Sequence, residues 1–300
     1  ILNAGYTVTF ERLNVTGNTA VTDGGGIESQ STGNFTISDS SINNNTAENG
    51  GGFANAGDGS LFVARSTFWN NRALTGVNSD TGLGGGIYSL GDAAAEYTNV
   101  TISGNLAQVR GGGMYVDADA GVRVINGTIT LNSAPAAAGV GDEGTAQPKI
   151  PPAPSLSVIF RNTIVGGNLG SEQCNYALGS EGGNLETGDS CYFRGPRDRA
   201  NAATTGLDAI ADNGGPSLTH AIQAGSLPMD GGVTPCPSLD QRGVSRPING
   251  RCDMGAFEFG GPFPPPDTTP PDTFYLSGPV QNTEATSLFT FRGEDPGNVT

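Results

Sequence analysis

The chain has 300 residues, 48 of them glycine, with 29 acidic against 14 basic side chains and a net charge of −15. That balance repels nucleic acid and anionic membrane surfaces, so neither is an expected partner, and the single lysine, Lys149, rules out a lysine-rich basic patch. Hydrophobic residues make up 35%, few for one globular core of this length but enough for a repeat solenoid, where each coil needs only a thin inner stripe.

No run of about 18 apolar residues occurs, so no membrane span is expected. No signal peptide opens the chain, and residue 1 already lies inside a repeating pattern. The sequence therefore reads as a fragment whose export signal and anchor lie elsewhere.

In chain order, triple glycines recur at Gly24–Gly26, Gly50–Gly52, Gly84–Gly86 and Gly111–Gly113, followed by Ile27, Phe53, Ile87 and Met114. A worn copy stands at Ala138-Gly139-Val140. An Asn-x-Ala triplet precedes each, beginning at Asn18, Asn45, Asn71, Asn105 and Asn132, in steps of 27, 26, 34 and 27 residues. The long step marks an inserted loop around Val77–Leu83.

With Asn168 as a sixth copy, three apolar columns appear. Three residues before each Asn stand Val15, Ile42, Phe68, Ile102, Ile129 and Val165. Eight before stand Phe10, Ile37, Val63, Tyr97, Val124 and Phe160. Ten before stand Val8, Phe35, Leu61, Ala95, Val122 and Val158. A separation of two puts the last two columns on one strand face. The expectation is an all-β, right-handed parallel β-helix with three short strands per coil and ~4.8 Å between coils. Tyr88 and Tyr115 should point away from the core.

In this reading Gly26, Gly52, Gly86 and Gly113 serve tight corners, and Asn18, Asn45, Asn71, Asn105 and Asn132 serve turns and a coil-to-coil amide ladder. Their expected role is to maintain the fold rather than to bind a ligand.

Ala134–Ser155 is rich in Ala and Pro and reads as a long loop; Leu156–Asn168 restores one coil. Beyond Gly170 the composition changes. Cys174 and Cys191 bracket one loop and Cys236 and Cys252 another. Four cysteines in an acidic, almost lysine-free chain point to two disulfides in an oxidising compartment. Three connectivities exist, and the loop-local pairing is the one expected. Zinc is disfavoured, because no Cys-x-x-Cys pair occurs and His220 is the only histidine.

The run Asp212-Asn213-Gly214-Gly215-Pro216-Ser217-Leu218-Thr219-His220-Ala221, followed by Gly225-Ser226, Asp240-Gln241-Arg242-Gly243, Arg246-Pro247 and Cys252-Asp253-Met254-Gly255-Ala256-Phe257-Glu258, resembles the bacterial "choice-of-anchor Q" domain over about residues 156–259. Leu227-Pro228-Met229-Asp230 departs from the Pro-Ala-Ile-Asp-type run usual there. The resemblance implies a domain that closes a right-handed β-helix in exported proteins bearing various surface anchors. Phe68–Asn71 and the Gly-Gly-Gly-Ile units are loosely similar to chlamydial polymorphic outer-membrane proteins, which implies adhesion.

The domain plan is thus coils at 1–169, a disulfide-containing C-terminal part at 170–259, a Pro-rich linker at 260–271, and from 272 to 300 the incomplete start of an immunoglobulin-like β-sandwich.

No complete catalytic set is evident, and none of the strings of a polygalacturonase-like site occurs. The best carboxylate pair is Asp117 and Asp119, read as a solvated corner with a weak Ca²⁺ site as the alternative; no other cofactor is called for. His220, flanked by Leu218 and Ile222, is expected to be buried and structural. Asp240, Arg242 and Arg246 are read as an ion-pair cluster pinning the Cys236–Cys252 loop. The Asn-x-Thr sequons at Asn14, Asn34 and Asn99 matter only in a eukaryotic secretory pathway. The preferred function is a non-catalytic, monomeric surface or secreted protein for adhesion, display or glycan or protein binding. The alternatives are a pectin-lyase-like polysaccharide lyase or glycoside hydrolase, and a structural spacer.

Overall fold

A computed structural model describes the chain except residues 5–6, 77–80, 92–93, 117–120, 143–154, 262–271, 278–289 and 295–300. It divides into two compact units, Ile1–Pro264 and Pro265–Thr300.

Two-residue alternation builds the strands of the first unit. In Phe35–Ser38, Phe35 and Ile37 are buried while Thr36 and Ser38 are half-buried, the pattern of a sheet with one inward face. Strands in equivalent positions pair in parallel. A first stack runs through Val8–Glu11, Phe35–Ser38, Leu61–Ala64, Ala95–Thr98, Val122–Ile125, Ser155–Arg161 and Leu178–Gly182. A second runs through Asn14–Thr16, Ser41–Asn43, Thr67–Trp69, Thr101–Ser103, Thr128–Thr130, Ile164–Gly166 and Leu185–Glu186. A third runs through Leu2–Asn3, Ile27–Ser29, Phe53–Asn55, Ile87–Ser89, Met114–Val116 and Val140–Asp142. The chain visits these stacks in rotation, an all-β arrangement of parallel strands consistent with a β-helix.

The register follows the apolar columns. Val15, Ile42, Phe68, Ile102, Ile129 and Val165 are successive partners, and so are Phe10, Ile37, Val63, Tyr97, Val124 and Phe160. All are buried in one core except Phe10, which with Val8 is partly buried at the first repeat. Each fully buried Ile or Phe contributes about 1.5–3 kcal/mol. Tyr88 and Tyr115 alternate away from Ile87 and Met114, and their rings lie 5.5 Å apart.

Left-handed backbone turns the corners. Six residues before each ladder Asn, Arg12, Asp39, Arg65, Asn99, Asn126 and Asn162 all have φ between 46° and 54°. The residue just before each Asn repeats this, at Gly17, Asn44, Asn70, Gly104, Leu131 and Gly167. In the triple-glycine corner the later positions are fixed by space. A Cβ on Gly86 would stand 2.6 Å from the Gly113 carbonyl oxygen and 2.9 Å from Asn105 Nδ2, closer than real Cβ atoms come.

The asparagines themselves form a continuous buried file. Asn45 Nδ2 donates to Asn71 Oδ1 at 3.1 Å, Asn71 to Asn105 at 3.0 Å, Asn105 to Asn132 at 2.9 Å and Asn132 to Asn168 at 2.9 Å. Each Nδ2 also donates backward, as Asn105 does to the Phe68 carbonyl at 3.0 Å. Asn18 begins the file and Gln173 ends it, its Oε1 2.7 Å from Asn168 Nδ2.

Two loop assignments are corrected. Thr81 is buried and Leu83 bridges both Asn49 and Arg110, so the repeat resumes inside the range read as an inserted loop; residues 77–80 lie outside the described residues. Likewise, the rhythm persists past Ala134. Ala136 bridges Arg110, Ala137 takes the left-handed corner, and Val140–Asp142 joins the third stack. Ala137 and Ala138 replace the first two glycines there and Gly139 keeps the third, so the composition hides a regular turn; residues 143–154 of that loop lie outside the described residues.

After Asn168 the chain adds Leu178–Gly182 and Leu185–Glu186 to the stacks. Leu207–Ala211 and Thr219–Ile222 then form an antiparallel pair. In the second unit, Asp272–Ser277 pairs antiparallel with Thr290–Glu294.

Candidate functional site

The site of most chemical content is the outward face of the second stack. Four residues before the ladder Asn this face carries Asn14, Ser41, Thr67, Thr101 and Thr128. Thr67, Thr101 and Thr128 are nevertheless buried, because residues 217–256 lie over them. Thr67 Oγ1 donates to the Leu218 carbonyl at 2.6 Å, and Thr101 Oγ1 to Gln241 Oε1 at 2.6 Å. Gln241 Nε2 returns a bond to Thr67 Oγ1 at 2.8 Å. Thr128 Oγ1 accepts from the Ala256 amide at 3.0 Å. At the neighbouring corner Asn99, Asn126 and Asn162 donate to the carbonyls of Leu239, Asp253 and Val233. Left-handed corner residues that look like turn formers are thus also fasteners. Buried hydroxyls and amide N–H groups paired in this way hold the segment down without a large apolar contact; Ile164, Leu185, Ala202 and Met254 supply a small one.

His220 is 2% exposed. Its Nδ1 lies 2.7 Å from the Asp208 carbonyl oxygen and its Nε2 2.8 Å from Ser103 Oγ. The carbonyl can only accept, so Nδ1 carries the hydrogen and Nε2 accepts from the serine. Burial lowers the imidazole pKa, which keeps the ring neutral. The atoms follow the order of a serine–histidine pair, but Ser103 is 1% exposed and the pair is closed over. Ser103 lies 117 residues from His220, and nothing in the sequence links them.

The charged residues of the segment close on one another. Asp240 accepts from Arg242 Nε and Nη2 at 2.9 and 2.8 Å and from the amides of Arg242, Val244 and Glu258. The Arg242 guanidinium also lies 3.6 Å from the centre of the Phe257 ring. Arg246 faces Glu258, with Nε 3.2 Å from Oε2. The grouping of Asp240, Arg242 and Arg246 expected from the sequence therefore divides, Arg242 pairing with Asp240 and Arg246 with Glu258. Burial raises the Glu258 carboxyl to about 7, against the opposing pull of Arg246 and of the Asp253 and Ile248 amides.

Cys174 pairs with Cys191 and Cys236 with Cys252. Glu186 organises the first loop: Oε1 accepts from the Ser190 amide and hydroxyl at 2.7 and 2.8 Å and from the Cys191 amide at 3.1 Å. Burial raises its pKa.

Asp117 and Asp119 lie outside the described residues. Among the described residues no three His, Cys, Asp or Glu side chains are placed to hold a metal ion, and no helix is long and apolar enough to cross a membrane. Asn99 is buried and bonded, while Asn14 and Asn34 are exposed.

Fold and site together define an all-β protein of stacked parallel strands, with two disulfides and a C-terminal segment fastened along one face. Two disulfides are more typical of extracellular proteins. Comparison with protein families, with curated proteins and with solved structures finds no match.

Proposed function

We propose that the chain is a secreted or cell-surface right-handed parallel β-helix protein that works by adhesion or display, binding a glycan or protein surface without catalysis. In this reading the stacks close into a solenoid, and the fastened segment corresponds to the choice-of-anchor Q domain it resembles. Residues 260–271 are the linker to an immunoglobulin-like module that begins at 272. The observation that carries the proposal is the register: equivalent residues of successive repeats are direct strand partners through the second stack. A face built this way meets an extended ligand through many weak contacts, none indispensable.

The test is a glycan-array and polysaccharide-degradation screen of the 300-residue chain with Ca²⁺ present. Binding without turnover supports the proposal. Turnover abolished by Asp117→Ala or Asp119→Ala replaces it with the lyase or hydrolase reading. Silence in both assays replaces it with the spacer.

A further inference from the structure

The fastened segment leaves part of the second stack's outward face open. Two residues before the ladder Asn, this face carries Thr16, Asn43, Trp69 and Ser103 as successive strand partners. Ser103 lies under His220. Thr16 is exposed, and Asn43 and Trp69 are partly exposed. Trp69 is the only tryptophan in the chain. Its indole lies beside Gly104, where a Cβ would stand 3.4 Å from Nε1.

Next to the indole is a chain of surface amides. Asn43 Nδ2 donates to Asn14 Oδ1 at 3.0 Å, Asn44 Nδ2 to Asn43 Oδ1 at 2.7 Å and Asn70 Nδ2 to Asn44 Oδ1 at 2.6 Å. Thr16 Oγ1 donates to Asn43 Oδ1 at 2.8 Å. Asn43 Nδ2 also donates to Ser41 Oγ at 3.0 Å, so both donors and both lone pairs of Asn43 are spent on holding its neighbours, while the exposed amides of Asn14, Asn44 and Asn70 keep a donor and a lone pair each for a ligand.

We propose that Asn14, Thr16, Asn44, Trp69 and Asn70, with Asn43 holding them in place, form a binding site for a neutral, extended polysaccharide. This rests on the non-catalytic binding reading and names its ligand class. None of the six side chains is charged, so the site offers no counter-charge to an acidic polymer, and a chain of net charge −15 repels one. An indole face suits the apolar face of a sugar ring, and fixed amides suit its hydroxyls. The strand spacing of ~4.8 Å is close to the advance of one ring along an extended glycan. A peptide is the weaker candidate, because Ser41–Asn43 is paired on both edges and offers no free main-chain edge for strand addition.

The experiment titrates the 300-residue chain with cellohexaose, xylohexaose and mannohexaose, with hexagalacturonate and a six-residue Ser/Gly peptide as controls. It reads the emission of the single tryptophan and the heat of binding. A saturable change with at least one neutral hexasaccharide is expected. Trp69→Ala should weaken it about tenfold or more, and Asn44→Gly with Asn70→Gly, which remove the amides but suit the left-handed corners, several-fold, at unchanged melting temperature. If Trp69→Ala does not fold, Trp69→Leu, which keeps apolar bulk without an aromatic face, should show the same loss by calorimetry. Sugar binding indifferent to both Trp69 variants would overturn this site while leaving the wider binding reading intact. Preference for hexagalacturonate or the peptide, or no response to any neutral probe, would overturn the ligand class, and the array screen would then judge the wider reading separately.

Discussion

Ser103 Oγ and His220 Nε2 meet at 2.8 Å, joining the second strand stack to the segment laid over it. The unfolded chain takes up a proton on this histidine near pH 6.5, while burial holds the folded imidazole lower. The unfolded state then binds more protons, so stability falls as pH drops below ~6.5. His220→Ala should lose about 1–3 kcal/mol at neutral pH and remove this part of the acid sensitivity, with glycan binding unchanged. Thermal melts from pH 5 to 8 decide it; a variant with the parent's acid profile contradicts the assignment.

Glu258 should act in the opposite sense. Its folded carboxyl is raised to about 7, so its stabilising contribution is present below the unfolded value near 4.3 and is lost as pH rises through about 7. Glu258→Gln should flatten the stability profile across that window, by a few kcal/mol at most. Urea midpoints at pH 4.5, 6 and 7.5 check this, and identical slopes in parent and variant would refute it.

The amide file predicts a gradient of mutational cost. Asn105 Oδ1 accepts from the amide and side chain of Asn71, while its Nδ2 donates to Asn132 and to the Phe68 carbonyl. Asn105→Ala should cost ~3 kcal/mol or more, because buried partners lose their bonds. Asn18 is exposed at the start of the file, and Asn18→Ala should cost about 1 kcal/mol or less. Equilibrium urea unfolding of the two variants measures the difference.

Gly86→Ala and Gly17→Ala should separate close packing from backbone strain. The Gly86 Cβ meets backbone at 2.6 Å, whereas Gly17, with φ +70°, has nothing within 4 Å. The first should cost roughly 2–4 kcal/mol and the second about 1–2. A reversed order in thermal melts would mean that the corner relaxes more than its packing suggests.

Each disulfide spans 16 or 17 positions, so in the chain-entropy model each contributes about 3 kcal/mol. Cys174→Ser with Cys191→Ser, and the equivalent pair at Cys236 and Cys252, should each lower stability on that scale. Non-reducing peptide mapping should recover the two loop-local pairs and no cross-pair.

The sequence by itself determined the all-β class, the apolar columns and their register, and the asparagine and glycine positions. These rest on local periodicity repeated six times, and a column such as Val15 to Val165 records its own strand pairing. It misplaced the limits of two loops, because Ala136–Ala138 and Thr81–Leu83 keep the backbone path of a repeat without its usual residues. Only the tertiary structure decided that Thr67, Thr101, Ser103 and Thr128 are covered. Hydroxyls on an outward column have the same sequence signature whether they face water or a carbonyl more than 100 residues away. The same holds for Glu258 beside Arg246, and for Trp69, whose partial exposure depends on where the overlying segment stops. Contacts of that range are set by how the chain returns along the stack, and no local pattern carries them.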